Sequence, residues 1–256
     1  MDLFLKTLEF KEIVDTMEAQ NYDWRKEIRD IEQAQEKRKN KTEFSLAEHV
    51  KTMVYAMLSN NRPWERIAEN SEKIDAIFQN FNIDYLLTTS PEELEQKLRE
   101  IKCGNRQIKR QMIGLSDNIK TLQQIATDCG TIDNYYNSTA IDVLIKSLST
   151  PGQKYKLKGM GTPLVCEYLK GVGFDIIKPD VHVCRIVGRL GYSKHNSATL
   201  QEALDVCKAI TDEYNLSQVA VDTVFWQYCA KNKLEICTAD PKCDCCGVKN
   251  CPSKIL

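Results

Sequence analysis

Apolar residues recur every three or four positions along almost the whole of this chain, and convincing runs that alternate apolar with polar are missing. A period near 3.6 belongs to helices with one buried face, so the fold class expected is all-α. Helix starts are marked by side chains able to accept the amides that a first turn leaves unbonded. Ser45 with Glu48 forms a capping box ahead of Val50, Met53, Val54, Met57 and Leu58, and Asn60 to Pro63 closes that helix. Ser90, Pro91 and Glu93 supply an N-cap, a first-position proline and an N3 carboxylate for a helix carrying Leu94, Leu98 and Ile101. Asp117 is expected to open a helix with Ile119, Leu122, Ile125 and Ala126 inward and Gly130 as its stop. Thr139 with Asp142 is expected to open a short helix through Leu148, and Thr199 with Glu202 another through Leu204, Cys207 and Ile210.

The first 44 residues read as one or two amphipathic helices ending in EKRKNK, residues 36–41, which is either a solvated helix end and linker or a nucleic-acid contact. A chain of 256 residues buries roughly 70–75% of its unfolded surface and needs no covalent staples. With 42% hydrophobic and 28% charged residues it is neither a disordered tail, a collagen-like chain nor a coiled-coil rod. No apolar run approaches the length of a membrane span. The 35 basic and 36 acidic residues leave a net charge of −1, so bulk charge points to no partner. Eleven cysteines are out of line with the rest. The first residues, MDLFLKTLEFKEIVD, lack a basic region followed by an apolar stretch, so the expectation is a non-secreted protein whose cysteines are thiols or metal ligands in a reducing compartment.

The most informative stretch is LKGMGTPLVCEYLKGVGFDIIKPDVHVCRIVGRLG, residues 157–191. Gly159 and Gly161 precede Thr162 and Pro163, a good helix start. Two glycines allow a tight turn and a close approach, and the free amides of a helix start attract an anion; a plain tight turn is the other reading. Between Lys154 and Lys194 stand eight basic and three acidic residues, a local balance of +5 that suits a nucleic-acid backbone. Asp180 follows Pro179 and by position caps a helix with Val183, Ile186, Val187 and Leu190 inward and Gly191 as its stop.

These residues carry a resemblance. A hairpin of the form L-x-G-x-G, a helix, and P-D-V-H-V-x-R-I with its aspartate nineteen residues after the second glycine resemble the helix-hairpin-helix (HhH-GPD) DNA glycosylases, the superfamily of endonuclease III. The likeness runs from about Phe44 to Cys251 and is strongest from Leu157 onward. It implies that Gly159 and Gly161, with Lys158 and Lys170 as further phosphate contacts, grip double-stranded DNA, with a monovalent cation at the hairpin, and that Asp180 is the catalytic carboxylate. Such an enzyme flips a damaged or mismatched base from the stack, and a carboxylate stabilises the developing oxocarbenium ion or orients water. Strand-cleaving members carry a lysine two residues beyond the second glycine. Here that residue is Pro163, so the reading is a monofunctional enzyme of base excision repair that activates water. The resemblance places Asn60, Asn61 and Arg62 where a loop fills the gap left by the flipped nucleotide, although a helix-ending turn explains them too. It places Tyr55 either against the extruded base or at the edge of the core. STPGQKYK, residues 149–156, is a longer spacer before the hairpin than is usual.

Cys237, Cys243, Cys246 and Cys251 stand as C-x5-C-x2-C-x4-C, with Cys245 as a spare thiol. Four cysteines so close, broken by Pro241 and Gly247, suit one metal centre, either zinc or an iron–sulfur cluster. The resemblance favours a 4Fe–4S cluster, with gaps one residue shorter than the family's at each end. Cys103, Cys129, Cys166, Cys184, Cys207 and Cys229 are read as small buried hydrophobes. The organisation expected is a helical barrel with the hairpin over residues 43–173, and a second domain of residues 1–42 with 174–256 that holds the metal. DNA would lie across the cleft between them. A monomer without membrane contact, cytoplasmic on a bacterial nucleoid or nuclear in a eukaryote, completes the expectation. Two rivals remain: a non-catalytic iron–sulfur protein that binds DNA structures, and a glycosylase with lyase activity from a relocated amine.

Overall fold

A computed structural model describes residues 8–254, and among these there are helices and loops but no strand. The α-helices in chain order are α1 Leu8–Ala19, α2 Arg29–Lys39, α3 Leu46–Leu58, α4 Trp64–Glu69, α5 Ser71–Ile77, α6 Ile83–Thr88, α7 Pro91–Glu100, α8 Ile108–Cys129, α9 Ile132–Ser138, α10 Ile141–Ser149, α11 Thr162–Gly171, α12 Val181–Arg189, α13 Leu200–Tyr214 and α14 Gln218–Cys229. No helix is long and apolar enough to cross a membrane among the described residues.

The chain divides into two compact units. The central unit is Lys37–Val172. In it α3 packs on α8 and α11, α7 lies along α8, and α10 meets α11. Val50, Met53, Met57, Leu115, Ile119, Leu122, Val165 and Leu169 are buried in its core. The terminal unit joins the chain up to Glu36 to the chain from Gly173 onward. Its axis is α14, which buries Val219, Val221, Val224, Phe225 and Tyr228 on several faces at once; a helix apolar nearly all round belongs in the middle of its neighbours. Around it stand α1, α12 and α13, with Phe10 of α1 edge-on to Phe225 at 5.5 Å between ring centres.

The capping boxes at Ser45 and Thr199 and the Ser90 cap all form. Two other expected starts do not. Asp117 lies in the middle of α8, which begins nine residues earlier at Ile108. Thr139 ends α9, its hydroxyl donating to Tyr135 O at 2.6 Å, and Ala140 precedes α10 without a side-chain cap. In both cases tertiary packing of the apolar stripe decides the boundary, and the local cap signal is used elsewhere.

The charged stretch of residues 36–41 is not simply a solvated end. Arg38 reaches inward, donating to Asp133 Oδ1 at 2.8 Å, Asn137 Oδ1 at 2.6 Å and Val172 O at 2.6 Å. Burial raises the Asp133 pKa, but His49, the Phe44 amide and Arg38 outweigh it and hold the carboxyl down at about 2. Arg38 thereby fixes the C-terminal end of α11, the helix that the hairpin begins.

Candidate functional site

The hairpin is seated on α8 by polar side chains from the middle of that helix. Asn118 is fully buried, and its amide pairs with one peptide-bearing residue in both senses: Oδ1 accepts from Lys158 N at 2.5 Å, and Nδ2 donates to Lys158 O at 2.9 Å. Gly114 lies one turn earlier, where a Cβ would stand 2.9 Å from Lys158 Cβ, so only glycine admits the hairpin at this depth. Gln111 packs against Gly159, which has φ +73. The long spacer closes on itself, with Leu157 N donating to Leu148 O at 3.0 Å and Tyr155 Oη donating to Asp128 Oδ2 at 2.7 Å. Asn118, Gly114 and Gln111 escaped the sequence reading. The available signal was a polar residue on the apolar stripe of α8, in line with Leu115, Ile119 and Leu122.

Peptide geometry then decides what the hairpin presents. Across a trans peptide the N–H points opposite to the preceding C=O. Lys158 O and Met160 O are turned into the protein, the first onto Asn118 and the second onto Lys156 Nζ at 2.6 Å. The Gly159 and Gly161 amides therefore face away, and among the described residues neither donates to a protein acceptor. Gly161 has φ −84 and is exposed. A methyl group there would meet only the Pro163 ring at 4.0 Å, so neither backbone strain nor internal packing requires glycine at this position.

Part of the basic balance of residues 154–194 is engaged within the protein, by two acids from outside the segment and one from within it. Lys154 pairs with Asp128 at 2.7 Å and Lys158 with Asp117, both on α8. Lys170, expected at a phosphate, is instead buried against Glu167 at 2.9 Å, because it falls on the inward side of α11. Lys158 is nonetheless exposed and lies beside the two open amides.

After α3, Asn61 takes φ +52, a conformation asparagine tolerates better than most residues. Arg62 donates to Gly104 O, and Asn105 and Gln111 both donate to Met57 O, at 2.8 and 3.2 Å. Asn60 is half-buried and Asn61 exposed. Arg62 thus braces the turn, and Asn61 is the residue it displays. Tyr55 is half-buried with its hydroxyl donating to Asp75 Oδ1 at 2.8 Å, so only its ring is available for another contact.

In the terminal unit Asp180 caps α12. One oxygen, Oδ1, accepts from His182 N at 2.8 Å and Val183 N at 3.2 Å, which fixes the carboxylate plane. Among the described residues Oδ2 accepts no hydrogen bond. Burial pushes the His182 pKa down, against the pull of Asp180 and with the help of Arg185 and Lys178. Arg185 Nη2 lies 3.0 Å from His182 Nδ1, and a guanidinium can only donate, so the neutral ring accepts at Nδ1 and carries its proton on Nε2. A groove of about 630 Å³ runs along the same helix, lined by Val181, Arg185, Arg189, Asn196, Pro241 and Pro252.

The cysteine-rich stretch is tied to α12 through its backbone. Arg185 donates to Cys237 O at 3.2 Å, and Arg189 donates to Thr238 O at 2.5 Å and Ala239 O at 3.0 Å. Cys237, Cys243, Cys246 and Cys251 are half-buried, Cys245 is exposed, and none is in a disulfide. A hydrogen bond from Cys229 and the nearby Arg189 and Arg185 pull the Cys237 thiol below its ordinary value against the effect of burial. Burial raises Cys251, as do Cys246, Cys237 and Cys243, whose fields it feels. Tyr228 Oη donates to Cys246 Sγ at 3.3 Å. Among the described residues no three Cys, His, Asp or Glu side chains stand close enough together to hold a metal ion as they are. Of the six other cysteines, Cys103, Cys166, Cys184, Cys207 and Cys229 are buried and Cys129 is half-buried.

No protein-family model and no curated protein matches the chain. Among solved structures, its fold is similar to the 8-oxoguanine DNA glycosylase of Methanocaldococcus jannaschii, at 22% identity and a TM-score of 0.59 over 87% of this chain and 94% of that one. The same organism's 8-oxoguanine glycosylase/lyase in complex with a 15mer DNA containing 8-oxoguanine gives 22% identity and a TM-score of 0.57, over 84% and 95% of the two chains. A trapped endonuclease III–DNA covalent intermediate gives 18% identity and a TM-score of 0.51, over 79% and 83%. The all-α fold is that of the helix-hairpin-helix DNA glycosylases.

Proposed function

We propose that the chain is a DNA N-glycosylase of base excision repair, which flips a damaged or mismatched base from duplex DNA and hydrolyses its N-glycosidic bond. The observation that carries this reading is the likeness of fold to a DNA glycosylase over 87% of this chain and 94% of the other. Two local features support it. The hairpin leaves the Gly159 and Gly161 amides open beside Lys158, a donor set suited to a phosphate. Asp180 is held by Oδ1 while Oδ2 stays uncommitted, as a carboxylate must be if it is to face an oxocarbenium ion or orient water. Asn60, Asn61 and Arg62 would form the loop facing the orphaned base, with Tyr55 at the pocket.

Water, not an amine, is the nucleophile in this proposal. Pro163 stands two residues beyond Gly161 in the first turn of α11 and has no amine. Lys170 is buried against Glu167 and Lys156 is directed at carbonyls. The M. jannaschii structure with DNA is that of a glycosylase/lyase, so borohydride trapping on an excised substrate is the decisive check. We expect no covalent adduct; an adduct would assign strand cleavage to a relocated amine.

Cys237, Cys243, Cys246 and Cys251 fit an iron–sulfur cluster by donor chemistry: four unbridged thiols, with Arg189 and Tyr228 directing hydrogen bonds to two of the sulfurs. When bound, the cluster supplies a cross-link that closes the loop, which would also carry Lys242, Lys249 and Lys254 toward DNA. Iron and sulfide analysis of anaerobically purified protein separates this from zinc.

Base release from duplexes carrying 8-oxoguanine, uracil, alkylated bases and mismatches tests the activity. Wild type should release at least one base, and Asp180→Asn should lower that rate about a hundredfold or more while leaving DNA affinity in place. Tight binding of wild type with no base released from any duplex would replace the enzyme with a non-catalytic reader of DNA structure.

A further inference from the structure

The ammonium of Lys156 donates to Leu157 O and to Met160 O, the latter at 2.6 Å, and so bridges the two sides of the glycine turn. Lys156 is half-buried, and the groups that act on it are burial and the Arg110 guanidinium, both of which disfavour its charge. No carboxylate pairs with it among the described residues. A partly desolvated cation whose hydrogen bonds go to backbone carbonyls, with no counter-ion, is unusual for lysine, which ordinarily snorkels to water or meets an acid. Carbonyl oxygens gathered around one point are instead the surroundings that a hard monovalent cation takes.

We propose that Lys156 is the resident cation of the hairpin, and that this chain holds the turn without the monovalent metal ion that its resemblance implies. The two carbonyls do not fit an added ion, because the ammonium already occupies the point they share. The consequence runs through the peptide planes. With Met160 O drawn inward to Lys156, the Gly161 amide is turned outward. With Leu157 O drawn the same way, the Lys158 amide is aimed at Asn118 Oδ1. Lys156 is therefore a positioning residue for the hairpin, and its charge is directed to carbonyls and not to phosphate. The DNA-binding consequence rests on the glycosylase reading; the structural one does not.

The test compares full-length wild type with Lys156→Met in potassium, sodium and tetramethylammonium chloride at matched ionic strength. Wild type should melt at the same temperature in all three salts. Lys156→Met should melt about 5 °C lower in tetramethylammonium and regain at least half of that in potassium or sodium, because a bare carbonyl pair accepts a small ion and excludes a bulky one. Selectivity for potassium or sodium in wild type would overturn the proposal, as would equal loss for the variant in every salt. Should Lys156→Met not fold, thallium(I) NMR on wild type decides: a specifically bound ion overturns the proposal, and its absence together with salt-independent melting upholds it. In a parallel arm, anisotropy on a duplex with an abasic-site analogue should show the variant's affinity falling about tenfold in tetramethylammonium and recovering in potassium. If neither protein binds DNA while the melting pattern holds, the glycosylase reading fails and the role of Lys156 stands.

Discussion

The hairpin of residues 157–161 has its backbone held from within except for the Gly159 and Gly161 amides: Asn118 takes both polar groups of Lys158, Lys156 takes two carbonyls, and Gly114 makes the room. The cysteine-rich stretch of residues 237–251 receives arginine hydrogen bonds along its first three residues, and further on it has one short 3-10 turn, Cys243–Cys245. Its cysteines are unbridged, and among the described residues no three of them are gathered at one point. Both are loops with little regular structure, yet one is complete as a polypeptide and the other is a set of donors. A loop that offers its amides to an outside anion has to be rigid beforehand, since the order it lacks would be subtracted from binding. A loop of thiols acquires its order from what it binds.

The largest effect that would break this contrast is at Asn118. Asn118→Leu keeps the branched shape but leaves the part-buried N–H and C=O of Lys158 without their partners and adds bulk, at a cost of about 4 kcal/mol in urea unfolding. A loss below about 1 kcal/mol would mean that the hairpin is not seated by that amide. Next comes metal removal. The cluster proposed above would cross-link the fifteen residues from Cys237 to Cys251, worth about 3 kcal/mol, so on that proposal chelation should lower stability by that order and open the stretch to proteolysis. Hydrogen exchange at α8 and α11 should stay unchanged; equal loosening of both regions would erase the distinction. The smallest effect is the sharpest. Gly159→Ala forces a side chain into φ +73 and should cost about 1 kcal/mol. Gly161→Ala, at φ −84 in open space, should change stability by less than about 0.5 kcal/mol while weakening DNA binding severalfold. Undiminished binding would show that nothing approaches that backbone.

Much of the fold could be read along the chain, because helix periodicity and caps are local. Ser45, Ser90, Thr199 and Asp180 cap as their types dictate, and the G-x-G turn stands where its glycines allow. Asp117 and Thr139 misled for the same reason in reverse: their side chains were engaged elsewhere, Asp117 with Lys158 and Thr139 with Tyr135 O. Charge was the least legible quantity. A segment at +5 reads as a basic patch only while its partners are unknown, and those partners, Asp117 and Asp128, lie on a helix some 30 or 40 residues away in sequence.

The sequence by itself determined that the chain is helical, where α3, α7 and α13 begin, that a glycine turn precedes α11, and that Asp180 heads α12, since each depends on neighbours within a few positions. Only the tertiary structure decided which charges face inward, that Arg38 anchors the end of α11, that Asn118 seats the hairpin and that Lys156 turns to carbonyls. Those outcomes depend on which groups meet across long stretches of chain, and on the high cost of leaving any buried polar group without a partner.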